Sequence, residues 1–582
     1  MLAIRVHRNG QEIENITSVT DVMNNNDEVD VCIIGSGAGG AVAAYALGKA
    51  GFSVVVLEAG RRFDPSDYHT NENRWEKTSN PFVSSDDRAR NYLYTYSSPQ
   101  KLDLSYDHLR SKSKVHGVYN KGSRRRPPRI DRVKGVGGTT LRYQGEAHRF
   151  SPHCFKYRSR YGVAEDWPIT YKDLEPYYEK AENILGVAGS NNNPFKAPRG
   201  PYPLSHHPLS CASKRVKKGF DKLGLHLLPN SLNILSRPRN GRPACNYCNG
   251  CYLGCKLRSK GSMDVTFIKE AEAMANVEVR PGSVVREITV NRKGNVNGVI
   301  YMNSGREEFR LKAKIIVLSA GALESPRLLL NSGSSLFPNG LSNSSGLVGK
   351  YFMETLTCLV TALFEDQINS YKGLQIDSRA WDYNVQKDNN SFVGGVVFGV
   401  SALDLLGPLS YARLLAPGVG HEHKNFMKKY FGHAVNVFAI GEQLPDRNNM
   451  ITIDRDAVDY YRIPVAKVTS NLSGNDLEIL SFMSKKCREI VEAAGAVDIL
   501  REYSAYDLSI ISHISGTCRM GDDPRESVLN KYCQSHEINN LFVIDSSCFV
   551  TEGGGDSPSL TINAISLMAS EYIVGRAKKG MI

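Results

Sequence analysis

Apolar and polar positions follow one another along the chain in blocks that predict the strands and helices of an α/β protein. Close to the N-terminus, an apolar run at 31–34 leads into a glycine-rich turn at 35–40, an alanine-rich helical pattern and a second apolar run at 54–57. This order of strand, glycine turn, helix and strand is typical of a nucleotide-binding βαβ unit. The pattern therefore predicts a Rossmann-like domain in the first part of the chain.

The same kinds of block return further along the chain. Residues 311–333 repeat the order of strand, glycine turn and helix, and residues 355–470 alternate in a way that predicts many strands. A long helical pattern at 475–496 is followed by a strand at 540–545 and a terminal helix. Because no period of about twenty to fifty residues recurs, a solenoid or a propeller is excluded.

The first glycine turn has the spacing Gly35-x-Gly37-x-x-Gly40, with Glu58 placed 23 residues after Gly35. Gly35 permits a tight turn, Gly37 lets a pyrophosphate approach the backbone, and Gly40 allows close packing of helix and strand. Glu58 ends the second strand, where a carboxylate accepts hydrogen bonds from ribose hydroxyls and repels a 2′-phosphate. Flanking strand, helix and acid together predict a dinucleotide site.

The length of 582 residues is too great for one ordinary core and predicts two intertwined domains. Hydrophobic content of 41% and charged content of 23% are typical of a globular enzyme. Residues 1–28 are expected to form a polar leader with one strand at 2–6. No apolar run approaches the roughly 18 residues of a membrane span. The N-terminus also lacks the apolar stretch of a secretory signal, so we expect a cytoplasmic protein without an integral membrane segment.

The net charge of +12 raises the question of a nucleic-acid partner. The densest basic stretch, at 121–134, carries seven basic side chains and one acid. No aromatic platform, zinc finger or other nucleic-acid module accompanies it. A solvated loop, or one that steers anionic ligands, explains the charge better, and no nucleic-acid partner is expected.

Four ordered blocks resemble the glucose–methanol–choline (GMC) oxidoreductases, which use FAD to oxidise alcohols. They are the first glycine unit at 35–60, GVGGTT at 135–140, LSAGALESPRLLLNSG at 318–333, and the segment from HISGTCRMG to the terminal helix at 513–573. The resemblance covers nearly the whole chain. Two further blocks, at 166–187 and 442–454, are similar to the branch that oxidises sugars and polyols.

The resemblance implies an α/β fold with a discontinuous Rossmann-like FAD-binding domain and a substrate domain built on an antiparallel sheet with helices. The implied segments are the first FAD part at 29–190, an irregular cysteine-containing segment at 191–260, the second FAD part at 261–355, the substrate domain at 356–504 and the C-terminal FAD part with the active site at 505–582.

The resemblance also implies a set of flavin-binding residues. Gly35, Gly37, Gly40 and Glu58 match the ADP-binding half of the flavin site. Gly137, Gly138 and Thr139, in the second glycine loop, match the loop that approaches the isoalloxazine ring. Asp545, at the end of the strand at 540–545, matches a residue near the pyrophosphate and ribityl chain.

His513 matches the position of the family's active-site base. Transfer of a hydride from an alcohol carbon to flavin N5 requires loss of the hydroxyl proton, and an imidazole titrates near neutral pH. The alternative for His513 is a buried histidine bonded to backbone.

The chain departs from the family at the second catalytic position, where Ser557 precedes Pro558 in place of the usual Asn or His. Ser557 is a candidate hydrogen-bond donor to the substrate oxygen. It is equally a suitable N-cap for the terminal helix, with Pro558 in the first turn. Asn563, one turn further along, is either a substitute partner or a polar residue of the helix face.

The run Cys245-x-x-Cys248-x-x-Cys251-x-x-x-Cys255 is similar to one half of a bacterial ferredoxin. Four thiolates in this spacing suit an iron–sulfur cluster, or zinc as a second choice. The alternative is a reduced, tightly turned loop or a pair of disulfides. A cluster would carry electrons onward and favour a dehydrogenase.

Together these features predict an FAD-dependent enzyme that oxidises a CH–OH group to an aldehyde or ketone. The expected substrate is a polar alcohol such as a sugar, a polyol, a cyclitol or an aminoglycoside precursor, the last of which would indicate antibiotic biosynthesis. The electron acceptor is expected to be oxygen or a redox partner. Three alternatives stay open: a sterol or long-chain alcohol oxidase, a non-catalytic flavin and iron–sulfur electron-transfer subunit, and an NAD-dependent dehydrogenase that shares the first motif alone.

Overall fold

A computed structural model describes residues 28–68, 100–118, 122–126, 129–130, 132–385, 391–402, 405, 407–507, 510–511 and 513–582. The strand expected at 2–6 and the leader around it lie outside these residues.

The strands and helices of the described residues follow the blocks of the sequence pattern. The strands are β1 Glu28–Ile34, β2 Val54–Glu58, β3 Lys112–Ser113, β4 Gly117–Val118, β5 Arg129–Ile130, β6 Ala188–Gly189, β7 Leu204–Ser205, β8 Leu228–Pro229, β9 Val277–Pro281, β10 Val284–Val290, β11 Val296–Met302, β12 Glu308–Leu318, β13 Leu356–Leu363, β14 Ser378–Tyr383, β15 Val396–Ser401, β16 Ala434–Gly441, β17 Met450–Val458, β18 Pro464–Thr469, β19 Asp498–Ser504, β20 Ile510–Ile511 and β21 Leu541–Val543. The α-helices are α1 Gly40–Lys49, α2 Tyr157–Tyr161, α3 Tyr171–Leu185, α4 Cys211–Lys222, α5 Phe267–Glu272, α6 Gly321–Asn331, α7 Pro408–Leu414, α8 His421–Tyr430, α9 Gly474–Ala493 and α10 Ser559–Lys578.

The first sheet has a parallel centre in the order β9–β2–β1–β12–β21. Ile34 at the end of β1 pairs with Leu57 on one side and with Leu318 on the other. β10 and β11 extend this sheet as an antiparallel meander along the first half of β12. The centre of β1, β2 and β12 is apolar and buried, as parallel strands covered on both faces require. The predicted Rossmann-like arrangement is confirmed.

The second sheet is antiparallel throughout, in the order β4–β3–β19–β13–β16–β15–β14–β8. Helix α9 packs against β13 and β16, and α4 packs against α9. The predicted antiparallel sheet with helices is therefore present. Short strands from early segments, β3, β4 and β8, join this sheet, and the exact domain boundaries stay a prediction.

Each sheet has its own apolar core, and the C-terminal helix α10 crosses the first of them. Every residue from Leu560 to Ser570 is buried, because α10 packs between α1 and α3. None of the helices in the described parts of the chain is both long enough and apolar enough to cross a lipid bilayer.

Candidate active site

The carboxyl ends of the parallel strands open into a large cavity of about 1820 Å³, including the part that is open to solvent. The turns that follow β1, β12 and β21 line this cavity. The second glycine loop, His513 and Ser557 line it as well. Ligands of open α/β sheets bind at this edge, so the predicted flavin-binding and catalytic segments come together where a ligand is expected.

The glycines of the first turn have different surroundings. Gly35 has φ of +96°, in the left-handed region that favours glycine. A Cβ atom at Gly40 would lie 1.9 Å from the carbonyl oxygen of Gly35, so the start of α1 packs directly on the turn. A Cβ atom at Gly37 would meet nothing within 4 Å. Gly37 lines the cavity, and the space in front of it is open to a ligand.

Glu58 binds both glycine loops through its carboxylate. Oε2 accepts hydrogen bonds from N and Oγ of Ser36 at 3.0 and 2.7 Å, and Oε1 accepts from N of Gly60 at 2.9 Å and of Gly135 at 3.2 Å. Burial raises the pKa of the Glu58 carboxyl, while these hydrogen bonds oppose the rise. Glu58 also lines the cavity. The carboxylate thus fixes the two loops as well as standing where a ribose would be bound.

The second glycine loop rests on the first. Gly137 and Gly138 have φ of +106° and +57°, and the Gly137 N–H donates to Oγ of Ser36 at 3.0 Å. A Cβ atom at Gly138 would lie 2.8 Å from Cα of Gly37. Thr139 follows in a short 3₁₀ turn and lines the cavity with Gly138.

Asp545 follows β21 and joins two elements of the cavity wall. Its Oδ2 accepts hydrogen bonds from N of Gly321 at 2.9 Å and from Oγ of Ser325 at 2.5 Å, both in α6. Its Oδ1 accepts from N of Ser547 at 2.8 Å. Asp545 therefore fixes the start of α6 and lines the cavity at the same time.

These residues fit a dinucleotide cofactor of the FAD kind. The open space before Gly37 meets the N-terminus of α1, where the helix dipole favours a negatively charged group. The Glu58 carboxylate lines the cavity at the end of β2, but each of its oxygens already accepts two hydrogen bonds from the protein, so its contact with ribose hydroxyls stays a prediction. A seat for a pyrophosphate results.

His513 reaches the same cavity from the far end of the chain. His513 is half-buried as a residue, and among the residues that the structure describes none donates a hydrogen bond to its imidazole or accepts one from it. The expected alternative, a buried histidine bonded to backbone, has no support in these contacts. Burial lowers the pKa of His513 to about 4, with a smaller opposing effect from the charge of Glu146. The imidazole is therefore neutral near pH 7 and has a lone pair free to accept a proton.

Ser557 is buried and lines the cavity, but it is not the N-cap of the terminal helix. The helix begins at Ser559, and its N-cap is Pro558, which makes no side-chain capping bond. The N-cap prediction for Ser557 was wrong because its backbone N–H is directed to Nδ1 of His148, at 3.0 Å, and the chain turns into the helix one residue later. The hydroxyl is left on the cavity wall.

Asn563 belongs to the helix face. Its Nδ2 donates to the carbonyl oxygen of Ala38 in the first glycine turn, at 2.8 Å. This bond ties α10 to the turn and does not place the amide beside His513.

A buried polar network beside His513 was missed by the sequence reasoning. Glu146 lines the cavity, and its two oxygens accept hydrogen bonds from Nε and Nη2 of Arg379, each at 2.7 Å. Asn230 Nδ2 donates to Oε1 of Glu146 at 2.8 Å. The Asn230 Oδ1 atom lies 2.7 Å from Nε2 of His148. The proximity of Glu146 and His148 to the second glycine loop was an available signal, whereas Arg379 and Asn230 come from distant segments that no local pattern connects.

The four cysteines at 245–255 lie in a loop that is not part of the cavity wall. Cys251 is buried, Cys248 is exposed, and Cys245 and Cys255 are half-buried. Within the described residues, no three His, Cys, Asp or Glu side chains are placed so that they could hold a metal ion. The arrangement of the thiols therefore does not fit the iron–sulfur cluster, or the zinc ion, that their spacing predicts.

Comparison with protein families gives two matches to models described as GMC oxidoreductase, over residues 125–350 and 445–566. Residues 33–93 match a model of an NAD(P)-binding Rossmann-like domain. The two ranges matched by the GMC oxidoreductase models contain the second glycine loop, His513 and Ser557. The range matched by the Rossmann-like model contains the first glycine turn.

Two characterised relatives align over almost the whole chain. The 2-methyl-1,2-propanediol dehydrogenase of Mycolicibacterium austroafricanum is 31% identical over 94% of this chain and 96% of its own length. The fructose dehydrogenase large subunit of Gluconobacter japonicus is 28% identical over 95% of this chain and 98% of its own. Among solved structures, pyridoxine 4-oxidase from Mesorbium loti has a TM-score of 0.60 at 19% identity, covering 93% of this chain and 98% of that chain. That likeness bears on the fold alone.

Proposed function

The chain belongs to the GMC oxidoreductase family, and on that premise we propose that it oxidises a CH–OH group of a polar alcohol to an aldehyde or ketone with FAD as cofactor. The observation that carries the proposal is a neutral imidazole without a hydrogen-bond partner among the described residues, in the wall of a cavity built for a dinucleotide.

The residues that would hold FAD divide into three groups. The first glycine turn, with Gly35, Gly37 and Gly40, and the N-terminus of α1 would bind the pyrophosphate, and Glu58 the adenosine ribose. The second glycine loop, with Gly137, Gly138 and Thr139, would lie against the isoalloxazine ring. Asp545 would stand near the pyrophosphate and ribityl chain. The chemistry that FAD supplies when bound is acceptance of a hydride from the alcohol carbon.

His513 acts as the base in this proposal. Its unprotonated ring nitrogen takes the hydroxyl proton of the substrate. A weak base suffices, because the hydroxyl becomes strongly acidic as hydride leaves the same carbon. Ser557 donates a hydrogen bond to the substrate oxygen from the neighbouring wall and orients it toward His513.

The substrate class is inferred from polar side chains of the cavity wall. Gln144, Glu146 and Ser557 line the cavity together with His513, and such side chains suit a molecule with several hydroxyl groups better than a long-chain alcohol. The relatives that oxidise 2-methyl-1,2-propanediol and fructose support a diol or sugar substrate. Completion of the cycle needs an electron acceptor, oxygen or a redox partner.

The proposal is tested by anaerobic titration of the purified protein with a panel of diols, sugars and cyclitols. The protein should be yellow with about one FAD per chain, and at least one polyol should bleach the visible flavin band. A colourless protein, or a yellow protein that no alcohol of the panel bleaches, would contradict the proposal.

A further inference from the structure

Glu146 is a charged residue in the wall of the cavity that His513 lines. It follows the second glycine loop and lines the cavity together with His513, Gln144 and Ser557. Its charge acts on His513, whose pKa it raises against the larger lowering effect of burial. Glu146 and His513 thus line the same cavity, and the carboxylate acts electrostatically on the imidazole.

The carboxylate is kept ionised by its partners. Burial raises the pKa of the Glu146 carboxyl, but the charges of Arg379 and His148 and the hydrogen bonds from Arg379 and Asn230 outweigh burial and hold the pKa at about 2. Arg379 is fully buried, and its two-pronged contact fixes the plane of the carboxylate. The acceptor is therefore both charged and rigid.

The acceptor capacity of Glu146 is not exhausted by the protein. Oε1 accepts one bond from Arg379 and one from Asn230, whereas Oε2 accepts one bond, from Nη2 of Arg379. A carboxylate oxygen has two lone pairs, so Oε2 can accept another hydrogen bond. An ion pair placed only for stability gains little from burial, because desolvation offsets the attraction. The position of Glu146 in the cavity wall indicates instead that its carboxylate binds a ligand.

We propose that Glu146 is a specificity-determining residue that accepts a hydrogen bond from a second hydroxyl of the substrate, next to the hydroxyl that His513 deprotonates. This inference rests on the proposed alcohol oxidation. It names the substrate class as vicinal diols and the polyols and sugars that contain them. An alcohol without the second hydroxyl would leave the charged acceptor buried and unpaired in the complex, which disfavours binding.

The test compares 1,2-propanediol with 1-propanol, which has the same carbon skeleton and lacks the second hydroxyl. In the wild-type holoenzyme, kcat/KM for flavin reduction should be about 10- to 100-fold higher for the diol, the range expected for a hydrogen bond to a charged group. Glu146→Gln should remove most of this preference, so that the ratio of kcat/KM for the diol to kcat/KM for 1-propanol falls by about tenfold or more. Equal losses for both alcohols, or an unchanged preference, would overturn the proposal.

Glu146→Gln leaves the buried charge of Arg379 without its partner, and the variant risks misfolding. The double variant Glu146→Gln/Arg379→Gln removes both charges and keeps two groups that can hydrogen-bond to each other. It should bind FAD, unfold at a temperature close to that of the wild type and show the same lost preference. A folded double variant that still prefers the diol would overturn the proposal.

A binding measurement separates this inference from the proposed function. In His513→Ala, the two alcohols can be titrated by the change they cause in the flavin absorption spectrum, without turnover. The diol should bind about 10- to 100-fold more tightly than 1-propanol, and the added Glu146→Gln change should abolish that difference. Equal binding of the two alcohols to the single variant His513→Ala would overturn the role of Glu146. Failure of every alcohol to reduce the wild-type flavin would instead count against the proposed function.

Discussion

His513 adopts a backbone conformation that residues other than glycine rarely take. Its φ is +55°, which costs an ordinary residue roughly 1–2 kcal/mol. The flanking chain holds it there, because Ser515 exchanges two backbone hydrogen bonds with Met353 and Oγ of Ser546 donates to the carbonyl oxygen of Ile514. Strained conformations persist where their surroundings over-determine them, often at functional sites. The strain supports the role proposed for His513.

The pKa of His513 predicts an unusual pH dependence. Burial lowers this pKa to about 4, while Glu146 raises it and Arg379 and His148 lower it further. Protonation removes the lone pair, so the rate of flavin reduction should stay constant from about pH 8 down to about pH 5 and fall only as the pH approaches 4.

Stopped-flow measurement of anaerobic flavin reduction across this pH range checks the prediction. In Glu146→Gln the acid limb should move to lower pH, because the variant loses a charge that favours the imidazolium. A limb near the ordinary histidine pKa of about 6.5 would show that burial does not lower the pKa of His513.

Single residues were predictable from sequence where a short motif fixes their surroundings. Gly35, Gly37, Gly138 and His513 line one cavity, because each belongs to a recognisable sequence block. Glu146 and Arg379 were not found, since their pairing joins segments more than 200 positions apart. Of the two alternatives for Ser557 the N-cap was wrong, because sequence alone does not show that its N–H donates to His148.

At the level of elements, two glycines of the first turn have different roles: Gly40 allows close packing of α1, and Gly37 leaves space for a ligand. In Gly40→Ala the new methyl group would lie 1.9 Å from the Gly35 carbonyl oxygen, so the turn or α1 must shift. We expect this variant to unfold at a clearly lower temperature, with a loss of the order of 1–3 kcal/mol. In Gly37→Ala the methyl group meets no protein atom within 4 Å and points into open space. The fold should be retained while FAD is lost or bound far more weakly.

Thermal unfolding of the two apoproteins and titration with FAD distinguish these outcomes. The two variants are matched, since each adds one methyl group to the same turn. Equal loss of stability in both, or normal FAD affinity in Gly37→Ala, would be inconsistent with a pyrophosphate in front of Gly37.

The elements themselves were largely predictable. Apolar runs of β-branched residues became buried parallel strands, and the pattern at 475–496 became helix α9. The terminal helix α10 was expected, and all of its faces are buried from Leu560 to Ser570. Periodicity shows that a helix forms, whereas only the positions of α1 and α3 decide how much of it is enclosed.

At the scale of the whole molecule, distant parts of the chain build one site. β21 pairs with β12, and β12 pairs with β1. These pairings bring the C-terminal segment to the edge of the sheet where the first glycine turn lies. The family resemblance predicted this assembly, whereas composition and periodicity could not, because contacts of such sequence separation leave no local signal. The position of the second sheet explains why Arg379, from β14, reaches the cavity-lining Glu146.

The central claim is that an FAD bound along the first glycine turn meets His513 from the other end of the chain. Anaerobic flavin reduction by a polyol substrate, followed by stopped-flow in wild type, His513→Ala and Ser557→Ala, tests it most directly. His513→Ala should keep its FAD and reduce it at least about 100-fold more slowly, the effect of losing a general base. Ser557→Ala, which loses one hydrogen-bond donor, should slow reduction by about tenfold. Normal flavin reduction in His513→Ala would contradict the account.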